Sequence, residues 1–217
     1  MSTLSKSAAT RYFDLLGAGL ALEEPFVTRA KRRAFELLQP RRGERLLNVG
    51  VGPGREQQWM QDAVAPGIAV GMDMSVHMLG LARSRTGSRT LCRADAEHLP
   101  FRDAAFDAIF SAYMLDLFSE TAIAATFAEF RRVLGPGGRL AVVSMTRGTT
   151  VPSRMLVAAW NTVFAVAPWL LGGCRPIPLA AMVEAAGFQV VAREIVVQKA
   201  APSEVVLAHV PSSGDKL

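Results

Sequence analysis

The sequence predicts a doubly wound α/β fold: a seven-stranded, mostly parallel sheet with helices on both faces and an antiparallel C-terminal hairpin. Three observations predict it. Between Arg45 and Ser144, short apolar runs alternate with helical stretches, the pattern of buried parallel strands joined by crossover helices. A glycine-rich turn lies where the first apolar run meets a helical segment, the place at which such sheets bind ligands. After Ser144 the rhythm changes, and two closely spaced apolar runs follow. The 217 residues, half hydrophobic and 20% charged, suit one domain with a full core.

The elements follow in chain order. The first seven residues are mostly small and polar and are expected to be loose. Cap helices are expected over 8–40, with helical periodicity from Glu24 to Leu38 ending before Gln39-Pro40. The core, 45–145, holds strands at Arg45–Val49, Ile68–Met72, Thr90–Arg93, Ala108–Ser111 and Arg139–Ser144. Helices at Glu56–Ala63, Val76–Ser84 and Thr121–Val133 lie between them, and right-handed crossovers place helices on both faces. Leu134-Gly135-Pro136-Gly137-Gly138 reads as a break between helix and strand. An apolar lid is expected over 146–177. Pro178–Ala186 reads as a helix stopped by Gly187, and Gln189–Val197 and Val205–Val210 as a hairpin broken at Pro202-Ser203. Within 178–211 these complete a single domain, 1–217.

Bulk chemistry excludes several classes. Two distant cysteines, Cys92 and Cys174, make neither a disulfide framework nor a metal site, and no metal is expected. No apolar signal segment opens the sequence, so a cytoplasmic protein is expected. The formal charge is +5, with seven basic residues between Arg29 and Arg45. That cluster is either a solvated helix face or a surface that meets phosphates, including those of a membrane at which the protein is peripheral. From Met155 to Leu171 only Asn161 and Thr162 are polar. The stretch is shorter than the ~20 residues of a membrane span and is interrupted by Pro168, so a buried or interfacial helix is expected.

The chemistry concentrates at Leu46-Leu47-Asn48-Val49-Gly50-Val51-Gly52-Pro53-Gly54. Glycine lets a ligand approach the backbone, and the helix that follows aims free N–H groups and its positive dipole end at that ligand. Asp73 ends the second strand, 19 residues after Gly54, where a carboxylate can accept two ribose hydroxyls. A dinucleotide fingerprint needs a third glycine at the sixth position, which is Arg55 here. The spacing therefore favours S-adenosylmethionine over a dinucleotide, with a purely structural turn as the plain alternative.

Further segments fall in register: Gly71–Ser75, Arg93–Phe101, Phe106–Ser111 and Leu134–Leu140. With them, the chain resembles class I methyltransferases of the ubiquinone/menaquinone-biosynthesis type, from about Tyr12 to Ser144. The resemblance implies a Rossmann-like fold and S-adenosyl-L-methionine as cofactor. It implies Gly50, Gly52 and Gly54 at the methionine end, Asp73 on the ribose, and Met74 against the adenine. Asp95 would take the adenine amino group beside the Ala96 backbone. Ser111 would sit near the methionine moiety, and Tyr12 would close over the cofactor. The plain readings are a turn cap for Asp95 and core packing for Met74 and Tyr12. One residue departs from the pattern: Asn48 stands where the family usually carries a carboxylate that pairs with the cofactor's ammonium group.

Methyl transfer from a sulfonium leans on positioning, with a base needed only if the acceptor must lose a proton. Tyr113 and Asp116, following the fourth strand, are the catalytic candidates; His77 reads as a surface residue. A lid holding Trp160, Phe164 and Trp169 suits a small lipid-like or aromatic acceptor, either a prenylated quinol precursor or a phospholipid amine. Arg175 is placed to reach a phosphate or quinone oxygen, or stands on the surface. The alternatives are a catalytically weak cofactor-binding module, motivated by Asn48, and an NAD-type oxidoreductase. Nucleic acid is not expected, since Ser111-Ala112-Tyr113-Met114 lacks the Asn/Asp-Pro-Pro-aromatic signature of DNA amino methylation. Monomer and homodimer both stay open.

Overall fold

A computed structural model describes residues 6–16 and 24–211. The chain runs α1 (Lys6–Leu16), α2 (Glu24–Leu38), β1 (Arg45–Val49), α3 (Arg55–Val64), β2 (Ile68–Asp73), α4 (Val76–Thr86), β3 (Leu91–Arg93), β4 (Phe106–Ala112), α5 (Glu120–Val133), β5 (Leu134–Met145), α6 (Val151–Val166), α7 (Leu179–Ala185), β6 (Gln189–Gln198) and β7 (Ala201–His209). Short 3₁₀ turns lie at Leu115–Leu117 and Pro168–Leu171. Of the seven residues expected to be loose, 1–5 lie outside the described ones, and Lys6 and Ser7 already belong to α1.

All seven strands join one sheet in the order β3-β2-β1-β4-β5-β7-β6. The first five pair in parallel, and β7 enters antiparallel between β5 and β6. The switch point therefore falls at the carboxyl end of β1, between β2 and β4, where crossovers leave in opposite directions. Successive side chains of a strand face opposite ways, so each apolar run serves two cores. Leu47, Val49, Ile109, Leu140 and Val142 pack with Phe127 and Phe130 of α5. Leu46, Ala108, Phe110, Ala141 and Val143 pack with Ala30, Ala34 and Leu38 of α2 and Met60 and Val64 of α3. Helix starts are marked by hydroxyl caps: Ser75 accepts from Met78 N–H, Ser119 from Ala122 N–H, and Thr150 forms a reciprocal box with Ser153.

Three expectations change. The Gly-Pro-Gly-Gly segment is an irregularity inside β5: buried Leu134 pairs with Phe106 before the register shifts to Arg139 opposite Ala108. The β6–β7 turn lies at Lys199-Ala200, both at positive φ (49° and 65°), while Pro202 and Ser203 belong to β7. Two adjacent left-handed residues make a tight hairpin turn without the Asn-Gly that usually announces it. Finally, the apolar stretch is only partly buried. Val157 and Phe164 face inward, whereas Val151, Met155, Val166, Trp169 and Leu170 are exposed. No helix among the described residues is long and apolar enough to cross a membrane.

Candidate active site

At the switch point lies a cavity of about 180 Å³. On this scale one water needs ~10–15 Å³, so the space admits a ligand of many heavy atoms. Its floor is the glycine loop. Gly50 and Val51 both donate their N–H to Met72 O at 2.9 Å, which folds the loop back over β2. Gly52, at φ 51°, has nothing within 4 Å of where a Cβ would stand. A side chain there would fill the ligand space. Gly54 does a different job: it is absent from the cavity wall, and a Cβ on it would stand 2.6 Å from Ala82 Cα. It seats α3 against α4. Gly54 supplies no side-chain cap to α3, which leaves first-turn N–H groups for solvent or a ligand.

Asp73 lines the cavity, already fixed in place: Oδ2 accepts from Gly52 N–H (3.0 Å) and Oδ1 from Ser75 N–H (2.9 Å). Burial pushes its carboxyl up, and the backbone N–H groups pull it partly back. Each oxygen keeps a lone pair for another donor. Ser75 in turn bonds Asp14 of α1, tying the cap helix to the site. Met74, Met78, Ala94 and Ala96 form an apolar wall beside Asp73.

Asn48 also lines the cavity, buried at the end of β1. Its Nδ2 donates to Gln57 Oε1 (3.2 Å), and Gln57 Nε2 donates to Ala69 O (2.9 Å). A carboxylate enters the same cavity from another element. Glu56 reaches the cavity from the first turn of α3 and pairs with Lys31 of α2 at 3.1 Å. Neither residue was expected in the cavity. Glu56 was detectable as the acid beside Arg55 just inside the helix that opens the motif; Lys31 stood out only as one of the basic residues of 29–45. Val27, Phe13, Phe110, Met114, Leu117 and Phe118 complete the apolar part of the wall.

Of the remaining candidates, Tyr113 lines the cavity, and its hydroxyl pairs with Ser203 Oγ at 2.5 Å. It sits at φ 56° with its N–H on Val143 O, a left-handed geometry that costs an L-residue roughly 1–2 kcal/mol. Besides Gly54, four expected site residues stand off the wall. The period of two on β4 gives Phe110 and Ala112 to the cavity and turns buried Ser111 away. Asp95 accepts from Glu97 N–H at 3.1 Å, as a turn cap would. Tyr12 lays its ring on Gly172 and donates to Leu170 O (3.3 Å), while its helix neighbours Thr10 and Phe13 take the cavity side. Asp116 is fully buried, accepting from Ser144 Oγ (2.6 Å), Met145 N–H (2.8 Å) and, weakly, Cys174 S–H. Burial pushes its carboxyl up to about 6.

The structure also places the two surface features. Arg175 spends its guanidinium on Phe118 O (3.1 Å), bracing the wall rather than reaching into the cavity. In the basic run of 29–45, Lys31 pairs with Glu56, Arg33 with Glu194 and Glu36, and Arg45 with Asp107, Arg32 lies over the Trp59 ring, and Arg29, Arg41 and Arg42 are exposed. His77 is exposed on α4. No group of three or more His, Cys, Asp or Glu is placed to hold a metal among the described residues.

This cavity, on this strand order, is that of an α/β protein binding a nucleoside-type ligand, and comparison with known proteins narrows the class. The family described as "Methyltransferase domain" matches residues 47–142. An O-methyltransferase of Aspergillus nomiae is 32% identical over 170 residues, covering 75% of this chain and 72% of its own length. The demethylmenaquinone methyltransferase of Corynebacterium kroppenstedtii is 30% identical over 174 residues, 75% of this chain and 73% of that one. That of Thermus thermophilus is 35% identical over 139 residues, 62% of this chain and 61% of that one. Among solved structures, a methyltransferase in complex with the Haloferax volcanii Trm112 methyltransferase activator aligns over 96% of this chain and all of its own, with TM-score 0.75 and 18% identity. A Thermotoga maritima S-adenosylmethionine-dependent methyltransferase aligns over 92% of this chain and 99% of its own, with TM-score 0.71 and 18% identity. At that identity the structures speak for the fold. The chain belongs to the class I S-adenosylmethionine-dependent methyltransferases. Within them it is similar to the ubiquinone/menaquinone-biosynthesis enzymes.

Proposed function

We propose that this enzyme transfers the methyl group of S-adenosylmethionine to a small apolar acceptor bearing an aromatic ring, of the prenylated-quinol kind. The observation that carries the proposal is the make-up of the cavity wall: Gly52, Asp73, Met74 and Ala96 stand together with the apolar side chains of Phe13, Val27, Phe110, Met114 and Phe118. The residues present fit the cofactor. Asp73 has lone pairs left for two vicinal hydroxyls, Gly52 leaves backbone bare, and the Met74–Ala96 side offers a slot for an adenine. Glu56 and Lys31 present one charge of each sign, which matches the ammonium and carboxylate of a methionine zwitterion.

When bound, S-adenosylmethionine supplies a methyl group already activated on a sulfonium. The chain's own residues position and enclose. Asp73 holds a ribose, Glu56 takes over the charge that Asn48 lacks, and the apolar wall excludes water while fixing an aromatic acceptor. Tyr113 is the polar candidate on the wall, where its hydroxyl, paired with Ser203, can hydrogen-bond an acceptor oxygen and orient it. Asp116 acts one step back, holding the turn that carries Leu117 and Phe118.

Titration calorimetry with S-adenosylmethionine, followed by transfer of labelled methyl to quinol and phospholipid-amine panels, tests the reading. Cofactor binding and label in a quinol are expected. No binding at millimolar cofactor sinks it; NADH binding instead would restore an oxidoreductase, and label only in the phospholipid amines would replace the acceptor class.

A further inference from the structure

We infer that the protein docks on an anionic phospholipid bilayer through the face formed by α6 and the 3₁₀ turn after it. Val151, Met155, Val166, Trp169 and Leu170 stand 59–72% exposed. On α6, Val151, Met155 and Val166 recur with exposed Ala158 and Thr162 at three- and four-residue steps and so share one side of the helix, while Trp169 and Leu170 lie on the turn after it. An ordinary solvated helix carries charges of both signs at such positions, and a core helix buries them. This segment does neither.

Charge selects the occupant. From Phe130 to Val183 the chain contains no acidic residue. Arg147 and Arg154, both exposed, flank the start of α6. An apolar stripe with two arginines at its start and an exposed tryptophan just beyond its end matches a headgroup layer over acyl chains, and its anionic form most of all. The helix would lie in the interface plane, since none among the described residues is long enough to span. Arg29, Arg41 and Arg42, exposed arginines of the basic run, lie on α2 and the loop after it rather than on α6.

The face is braced to the cavity. Tyr12 of α1 bonds Leu170 O, Trp160 Nε1 bonds Cys174 O, and Arg175 bonds Phe118 O on the cavity wall. Docking stands on the surface chemistry alone. That it delivers a membrane-dissolved acceptor rests on the methyl-transfer reading above.

Co-sedimentation with phosphatidylcholine vesicles, alone or mixed with phosphatidylglycerol, tests the docking, with cofactor affinity measured in parallel by calorimetry. The mixed vesicles are expected to bind about tenfold more protein at low salt, falling as salt screens the arginines. The double variant Met155→Glu/Val166→Glu should lose vesicle binding, and Arg154→Glu should lose the preference for phosphatidylglycerol, both with unchanged cofactor affinity. Equal partition of the wild type between the two vesicles, or undiminished binding by the double variant, overturns the inference. So does a wild-type dimer by light scattering that the double variant abolishes, since the face would then join two copies. Cofactor affinity separates these outcomes from a failure of the methyl-transfer reading.

Discussion

Asn48 sits among hydrogen-bond partners that suit an amide. Its Nδ2 faces Gln57 Oε1, and Gln57 is committed by its own Nε2 to Ala69 O. A carboxylate in its place would meet Gln57 Oε1 acceptor to acceptor in a buried position. Asn48→Asp is therefore expected to cost about 1–3 kcal/mol, and thermal unfolding without ligand should show Tm lower by about 2–4 °C per kcal/mol. Glu56→Gln tests the other half of the arrangement: cofactor affinity should fall about tenfold, near 1.4 kcal/mol, with Tm little changed because Lys31 keeps contact with solvent. An unchanged affinity removes Glu56 from the site. Asp116 gives a pH prediction whose sign follows from its raised folded-state pKa of about 6. In the unfolded chain it ionises near pH 4, while the folded protein still holds the proton. Its contribution to stability therefore falls as pH rises from about 4 to about 6 and levels off above. Asp116→Asn keeps an acceptor for Met145 N–H and can donate to Ser144 Oγ, so urea unfolding should show that pH slope flattened in the variant. At this scale the sequence was legible where backbone chemistry demands a residue, as at Gly52 and Asp73. It was illegible where one step decides which way a side chain faces, as with Ser111 beside Phe110 or Tyr12 beside Phe13.

Among the elements, β1, β2, β4 and the helices between them were readable because burial on both faces forces unbroken apolar runs between polar helical stretches. The hairpin turn was hidden because Lys199 and Ala200 adopt positive φ without the glycine or asparagine that makes such turns visible. That turn is a reserve of stability. Replacing Lys199-Ala200 with Asn-Gly relieves the left-handed strain of two L-residues, and Tm should rise by several degrees, as read by scanning calorimetry. The start of β5 was hidden for a different reason. Its Gly-Pro-Gly-Gly has every mark of a loop, yet Leu134 ahead of it is buried and paired to Phe106. For α6, an apolar run can signal either a buried helix or an interfacial one, and periodicity alone does not separate them.

For the whole molecule, a ligand that binds only the folded state stabilises it by mass action, by about 2.7 kcal/mol at a hundred times Kd. S-adenosylmethionine should raise Tm by about 5–10 °C at that excess, and NADH should leave it unmoved; a thermal-shift assay with both compounds reads this directly. The strand order has a consequence in time. β5 gains its antiparallel neighbour only when β7 is made, and fifty-five residues separate the end of one from the start of the other. A ribosome adding roughly 5–20 residues per second leaves that long, apolar edge bare for several seconds. The exposed stripe of α6 emerges in the same interval, so the nascent chain is at its stickiest just before its last strand closes the sheet. Soluble yield should therefore depend on the speed of translation and on chaperones that shield nascent chains more than the finished fold would suggest.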